Sequence, residues 1–405
     1  MKEGQFFKYK LIWIVILLAY INPAYLERFA IFDYYTAFVK LSLFAYFVFF
    51  KLLRKKIPNK IIFWIGYAFF PTIVTFMNGG DIKSTLTFAF IVINISFIFF
   101  YLSEQHIKAM IEGLALLMEV LIVTNFITII MVPNGLYLYT TDAGWKSSEV
   151  WFFGLRNSHS HFLCLACFAS VVDYYITQRK LKKILTIMVH AIAIATVFKL
   201  SSGGGVVAFT LYMLMLFILM RRKSHNFILK IRSVVLIHIV IFLFLSFCIA
   251  NTNVAELFSV LGEHRVYTLG RRIEIWTVVW EQIRQAPLFG YGFMSAEDLR
   301  WLSNLAAGAI SSHNSMIDIC FRGGFVTLVV YYYMLKSAGE KIDNSRNINY
   351  RIKNYIAVSW FTILLLLQTE GSMMSIPLLV IVGITLTIGK ISQSWKQQQK
   401  TPLND

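Results

Sequence analysis

Two short segments of the sequence hold residue types whose order suits chemistry on a phosphorylated substrate. They are Gly270-Arg271-Arg272-Ile273-Glu274-Ile275-Trp276 and Ser312-His313-Asn314. A departing phosphate group develops negative charge, and the planar fork of arginine binds phosphate oxygens in pairs. Arg271 and Arg272, placed with the free N–H groups of a helix start, would form such an anion site. The competing assignment has them snorkel to lipid headgroups or pair with Glu263 and Glu274. His313 has a side chain whose ordinary pKa lies near neutrality, so it can accept a hydroxyl proton or donate a hydrogen bond to phosphate. A plainer role is a helix-start residue with Ser311 or Ser312 as cap. Asn314 is expected to orient a sugar or His313, and Arg156, with His159 and His161 close behind, to face the same site.

Other polar residues carry less. Lys40, His190 and His238 fall within apolar runs, where ionisable groups are costly and face the bundle interior. Structural hydrogen bonds are expected for the two histidines, and Lys40 is a candidate phosphate contact. Glu370 is an alternative proton acceptor. No carboxylate pair has a glycosidase-like context, and the histidines lack the His-Glu-x-x-His spacing of a metal site. Gly203-Gly204-Gly205 lacks the Lys-Ser/Thr that completes a phosphate loop. Neither metal nor cofactor is expected. Cys164, Cys167, Cys248 and Cys320 all lie in apolar stretches and read as packing residues.

The scaffold for these residues follows from composition. Of 405 residues, 58% are hydrophobic and 15% charged, against about 45 to 50% apolar in soluble domains. Several apolar runs reach the roughly 18 to 20 residues that cross a bilayer. The predicted fold class is therefore all-α, a polytopic membrane protein of about twelve spans: 6–22, 29–50, 61–77, 85–101, 109–132, 160–177, 184–199, 204–220, 233–250, 315–335, 354–369 and 376–390. Residues 1–250 hold nine of them, 251–314 form a large extracytoplasmic loop, 315–390 hold the last three, and 391–405 form a cytoplasmic tail. The net charge of +17 would suggest nucleic acid in a soluble protein. Here the basic residues sit in short loops, about 26 of the 38 on one side, which excludes nucleic acid as a partner and places both termini in the cytoplasm.

Two outer segments, 133–159 and 251–312, exceed the usual connection of helical bundles. Within the second, Ile273, Trp276, Trp280 and Ile283 recur with helical period, and Pro287 ends the pattern. The expectation is an amphipathic helix on the outer membrane face, with Arg271 and Arg272 at its N-terminal end.

With Pro287-Leu288-Phe289-Gly290-Tyr291-Gly292 between the two segments, and Gly323-Gly324 after the second, the sequence resembles the O-antigen ligase and polymerase superfamily. In that superfamily an Arg-x-x-Ile-Trp element, a Pro-Leu-x-Gly-x-Gly turn and a His-Asn pair occur in this order around the large outer loop. Weaker echoes are Gly154-Leu155-Arg156-Asn157 and Ser201-Ser202-Gly203. Where the family often carries an arginine after such a serine, Gly203 stands here, and Lys199 is the cation expected to replace it. The resemblance implies a glycosyltransferase without cofactor or metal, in the cytoplasmic membrane of a bacterium, with its active site on the outer face. Its donor and acceptor would be polyprenyl-diphosphate-linked oligosaccharides, its further partners membrane lipids, a chain-length regulator and a flippase. Arg272 falls at the motif arginine and His313 is the other catalytic candidate, with Arg271, Arg156, Asn314 and Lys199 binding substrate. Polymerisation of O-antigen, capsule or exopolysaccharide repeat units is the expected reaction, and transfer of a finished glycan to a lipid core or protein is the alternative. A flippase or transporter would also suit twelve spans, but such carriers show two similar halves, which the sequence lacks.

Overall fold

The computed structural model describes residues 3–52, 57–140, 147–221, 228–250, 263–295, 297–299, 312–371 and 373–400. The side chains of Cys248, Glu263, Arg271, Glu274, Ser311 and Glu370 lie outside the described part. Among the described residues thirteen α-helices follow one another: α1 (Glu3–Ile21), α2 (Ala30–Phe47), α3 (Ile61–Met77), α4 (Ile82–Tyr101), α5 (Glu104–Met131), α6 (His159–Thr177), α7 (Lys180–Leu200), α8 (Gly203–Arg221), α9 (Ile231–Ala250), α10 (Glu263–Gln285), α11 (Ser315–Asp343), α12 (Tyr350–Glu370) and α13 (Ile376–Lys400). Eight are long and apolar enough to cross a membrane, and the apolar parts of α3, α8, α9 and α13 are shorter. These twelve fall where the sequence predicts spans, and the protein is an all-α polytopic membrane protein. α13 continues to Lys400, so the first part of the predicted tail is helical.

Burial orders the bundle from centre to rim. In α12, 83% of the apolar window is buried, against 11% in α2, so α12 is a core helix and α2 presents its surface to lipid. Loop contacts divide the connections between two ends. At one end Tyr25 N donates to Phe152 O and Asp81 N to Phe293 O, and Ser202 Oγ bonds Asn157. At the other, Lys60 Nζ reaches Ser337 O, Ile231 N reaches Asp343, and Leu229 N reaches Asn354. This second end carries most of the described Lys and Arg.

The long segment after α5 is not an irregular loop. Its alternating Tyr, Val and Trp residues pair as a small antiparallel sheet, β1 (Tyr137–Thr140), β2 (Ser147–Trp151) and β3 (Gly154–Leu155), with Tyr137 opposite Val150 and Val150 opposite Leu155. Trp151 Nε1 donates to Val132 O at 3.0 Å, and Phe153 N to Asn125 Oδ1 at 3.2 Å, which tie the sheet to the end of α5.

The largest departure from the predicted spans lies in α11. Gly324 has φ 65° and ψ −175°, and the helix breaks there. In a continuous helix Met316 and Tyr332 would stand about 24 Å apart at ~1.5 Å per residue, yet Tyr332 Oη and Met316 Sδ are 3.4 Å apart. The half-helix from Ser315 to Gly323 therefore folds back along the longer half that follows. Its start lies level with a residue eight positions beyond the break, about 12 Å along the axis. His313 accordingly stands beside the middle of the longer half and not at its start.

A break within a membrane leaves backbone groups without partners, which hydrocarbon cannot supply. Residues 287–292 supply them. Tyr291 N and Gly292 N donate to Phe321 O and Arg322 O at 2.8 and 2.9 Å, while Phe325 N and Val326 N donate to Pro287 O and Leu288 O at 2.8 and 3.2 Å. Such close backbone approach requires glycine: a Cβ on Gly324 would run into the Leu288 carbonyl, and one on Gly290 into that of Phe321. The Pro-Leu-x-Gly-x-Gly turn and the Gly-Gly pair are thus one structural unit. Beyond it, Phe293 N donates to Thr75 Oγ1 at 2.8 Å, which docks the turn on the α3–α4 hairpin.

Candidate functional site

α10 brings Arg272 to the half-helix. Trp276, one turn after Arg272, is fully buried, and its Nε1 donates to Ser312 O at 2.7 Å, immediately before His313. Ile275, Val279 and Ile283 are buried beside it, and Trp280 meets Phe242 of α9 and Phe325 of α11 edge-on. The apolar stripe read from the sequence is real, but it packs against α9 and α11. The helix also begins at Glu263, so Arg271 and Arg272 stand in its middle. The expected help from free N–H groups of a helix start is thereby removed, because interior N–H groups are bonded within the helix.

His313 has φ 51°, a left-handed backbone conformation that costs a non-glycine residue about 1 kcal/mol or more. Its ring is half-buried and makes no hydrogen bond among the described residues. Burial lowers its pKa, the Arg272 guanidinium lowers it further, and Asp318 works in the opposite direction. The imidazole is therefore held neutral at pH 7, with a positive charge beside it and a nitrogen free to accept a proton.

Of the two roles expected for Asn314, its hydrogen bonds fit the orienting of His313. It is completely buried, and its Oδ1 accepts from Met316 N and Ile317 N at 2.9 and 3.2 Å, capping the half-helix. Its Nδ2 donates to Gln368 O and Oε1, and Gln368 Nε2 in turn donates to His238 Nδ1 at 2.8 Å. With both ends of its amide occupied, Asn314 fixes the chain directly after His313. The cap is Asn314, not Ser311 or Ser312; Ser312 Oγ instead bonds Asn314 O.

Two residues that the sequence reading missed complete the site. Asp318 is buried one helical turn after Asn314; it accepts Met373 N at 2.8 Å through one oxygen and Arg322 Nε at 2.9 Å through the other. The Arg322 guanidinium lies 4.7 Å over the Phe293 ring. Its orientation is fixed by the carboxylate and the ring, while its terminal nitrogens make no hydrogen bond among the described residues. The i,i+4 Asp-Arg spacing was readable, but within an apolar span it resembles an ordinary internal ion pair.

Among the described residues, the remaining candidates are not joined to this group by a hydrogen bond or ion pair, except His238, which reaches Asn314 through Gln368. Arg156 is exposed and pairs with Glu149 at 3.2 Å. Lys199 is exposed in the last turn of α7. The two weaker sequence echoes do meet, since Ser202 Oγ donates to Asn157 Oδ1 at 3.1 Å. His159 and His161 are buried at the start of α6, where His159 meets Trp151 and Phe153 edge-on. His190 bonds Thr186 O and Tyr212, and His238 bonds Gln368, the structural roles expected for both. Lys40 is within electrostatic reach of Glu27 and Asp33. Cys164, Cys167 and Cys320 are buried free thiols, as packing residues should be.

Fold and site together define a polytopic membrane protein with a cationic, histidine-containing centre built on a broken helix. The sequence pattern of the O-antigen ligase family matches residues 184–332, which takes in Lys199, Arg271, Arg272, the 287–292 turn, His313 and Asn314. That match supports membership of the O-antigen ligase and polymerase superfamily, and hence a glycosyltransferase-like enzyme of the ligase or polymerase kind. No curated protein matches the chain.

Proposed function

We propose that this protein polymerises polysaccharide repeat units, moving a growing glycan from polyprenyl diphosphate to the non-reducing end of a lipid-linked unit. The observation that carries the reading is the Trp276 Nε1–Ser312 O bond, which sets the helix bearing Arg272 against left-handed His313 at the start of a buried half-helix. The acceptor hydroxyl oxygen bonds to the anomeric carbon of the donor as the bond from that carbon to the diphosphate breaks. The electron pair leaves with the diphosphate, and the hydroxyl proton passes to His313. Arg272 and Arg322 neutralise the charge that grows on the leaving group, work that a divalent ion performs in other glycosyl transfers. Arg322 stands beside Asp318 at the half-helix, whereas Arg156 pairs with Glu149 on the surface. A bacterial cytoplasmic-membrane location accords with the family match, and the positive-inside rule favours the Lys- and Arg-rich end inside, with the site toward the outer face.

Incubating the purified protein with a defined polyprenyl-diphosphate repeat unit, in chelator, should yield a ladder of products. A single transfer to a lipid core or protein acceptor, without a ladder, would assign the ligase reaction instead. Activity that is lost in chelator and restored only by a divalent ion would reject the guanidinium mechanism.

A further inference from the structure

Away from Arg272 and His313, a groove of about 700 Å³ opens between α9 and α11 at the Lys- and Arg-rich end of the bundle. Leu236, Ile239 and Val329 form its apolar walls, Tyr332 its floor, and Arg232 and Lys336 its mouth. The backbone N of Arg232 is held by Asp343 Oδ2 at 3.2 Å, but its guanidinium makes no ion pair among the described residues. Lys336 Nζ is 4.0 Å from Glu340, the limit of an ion pair, in an exposed setting where such a pair contributes little. Two basic side chains therefore stand at the mouth of the apolar cleft, with the Asp343 carboxylate taken up by the backbone of α9 and Glu340 at the edge of ion-pair reach.

We propose that this groove binds an anionic glycerophospholipid, with its phosphate between Arg232 and Lys336 and an acyl chain along Leu236, Ile239 and Val329. Basic pockets between membrane helices at the cytoplasmic side select acidic headgroups by charge, while the apolar walls add affinity that a free phosphate lacks. A zwitterionic choline headgroup would bring its own cation against the two basic residues. Tyr332 links the occupant to the rest of the molecule. Its hydroxyl meets Met316 of the half-helix, and its ring lies 6.1 Å from His238, which holds Gln368 and through it Asn314. A lipid packed on Tyr332 braces the elements that position His313.

The test needs no glycan and stands apart from the polymerase reading. Full-length protein in neutral detergent is melted with phosphatidylglycerol, with phosphatidylcholine of the same chains, or with soluble glycerol phosphate. Phosphatidylglycerol should raise the Tm by about 3 °C or more beyond phosphatidylcholine, since a ligand that binds only the folded state stabilises it. Most of that difference should vanish in Arg232→Ala/Lys336→Ala and persist in Arg346→Ala/Arg351→Ala, which removes two cations elsewhere at the same end. Leu236→Trp, which fills the cleft and leaves both cations, should also abolish it. Equal shifts from the two lipids, an undiminished preference in the Arg232/Lys336 variant, or the same shift from glycerol phosphate would overturn the proposal.

Discussion

Buried charge is handled in opposite ways at the two ends of this bundle. At the Lys- and Arg-rich end, Lys182 Nζ lies 2.9 Å from Asp173 Oδ2 and 3.2 Å from Glu119 Oε1, and Lys10 lies 3.9 Å from Glu112. Each buried carboxylate has a lysine, so the network is closed on itself and clamps α1, α5, α6 and α7. Around the half-helix, Arg322 Nε lies 2.9 Å from Asp318, and His313 is within electrostatic reach of both Arg272 and Asp318. Among the described residues the His313 ring and the terminal nitrogens of Arg322 make no hydrogen bond, so these groups can still meet a ligand. The polar groups of the first cluster are taken up by one another, and those of the second are not.

That contrast can be broken first at the closed end. Lys182→Ala leaves Asp173 and Glu119 buried without their cation and should cost about 3 to 5 kcal/mol of stability. The folded fraction should fall in a melting or denaturant series while turnover per folded molecule holds; a stable but inactive Lys182→Ala would erase the distinction between the ends. At the open end, Arg272→Ala should lower turnover about a hundred- to thousandfold, or about 2.7 to 4 kcal/mol, with Tm unchanged. Lysine should restore only part, because an ammonium lacks the paired donors of a guanidinium. His313→Ala should lose a comparable amount, and near-normal polymer from a well-folded variant of either residue would reject the site.

Arg322→Lys tests the second guanidinium more gently, and about a tenfold loss in kcat is expected, with abundance unaltered. The smallest effect is on the acidic limb of the pH profile. In the proposed reaction His313 is the base, so activity should fall as pH drops through its pKa, which burial and Arg272 hold below the usual histidine value. Residual activity of Arg272→Gln should therefore decline at a higher pH than wild type, because one of the causes that lowers the pKa is gone. A limb that moves the other way would separate His313 from proton transfer.

Much of this architecture is legible in the sequence, and the failures share a cause. Twelve apolar helices, the stripe on α10 and the prominence of Arg272 and His313 follow from periodicity and residue type. The break at Gly324 does not, because residues on both sides of it keep the 3.6 period and together look like one span. Its depth is set by the docking of 287–292, a contact between segments about 35 residues apart that no local pattern encodes. Asp318 and Arg322 were hidden for the same reason, since their surroundings depend on the fold-back. Glu112, Glu119 and Asp173 were passed over because their lysine partners come from other helices.

The cap on the half-helix also bears on when the enzyme becomes competent during its own synthesis. Asn314 is held by Gln368, 54 residues further along the chain, and Asp318 by the backbone of Met373. A ribosome must therefore pass both before the segment bearing His313 can be fixed inside the bundle, although Arg272 and the 287–292 turn are made much earlier. A truncated or stalled chain lacks the fastening for its histidine. Such a chain carries Arg272 and Arg322 but no anchored cap, so the segment bearing His313 has no fixed place beside them.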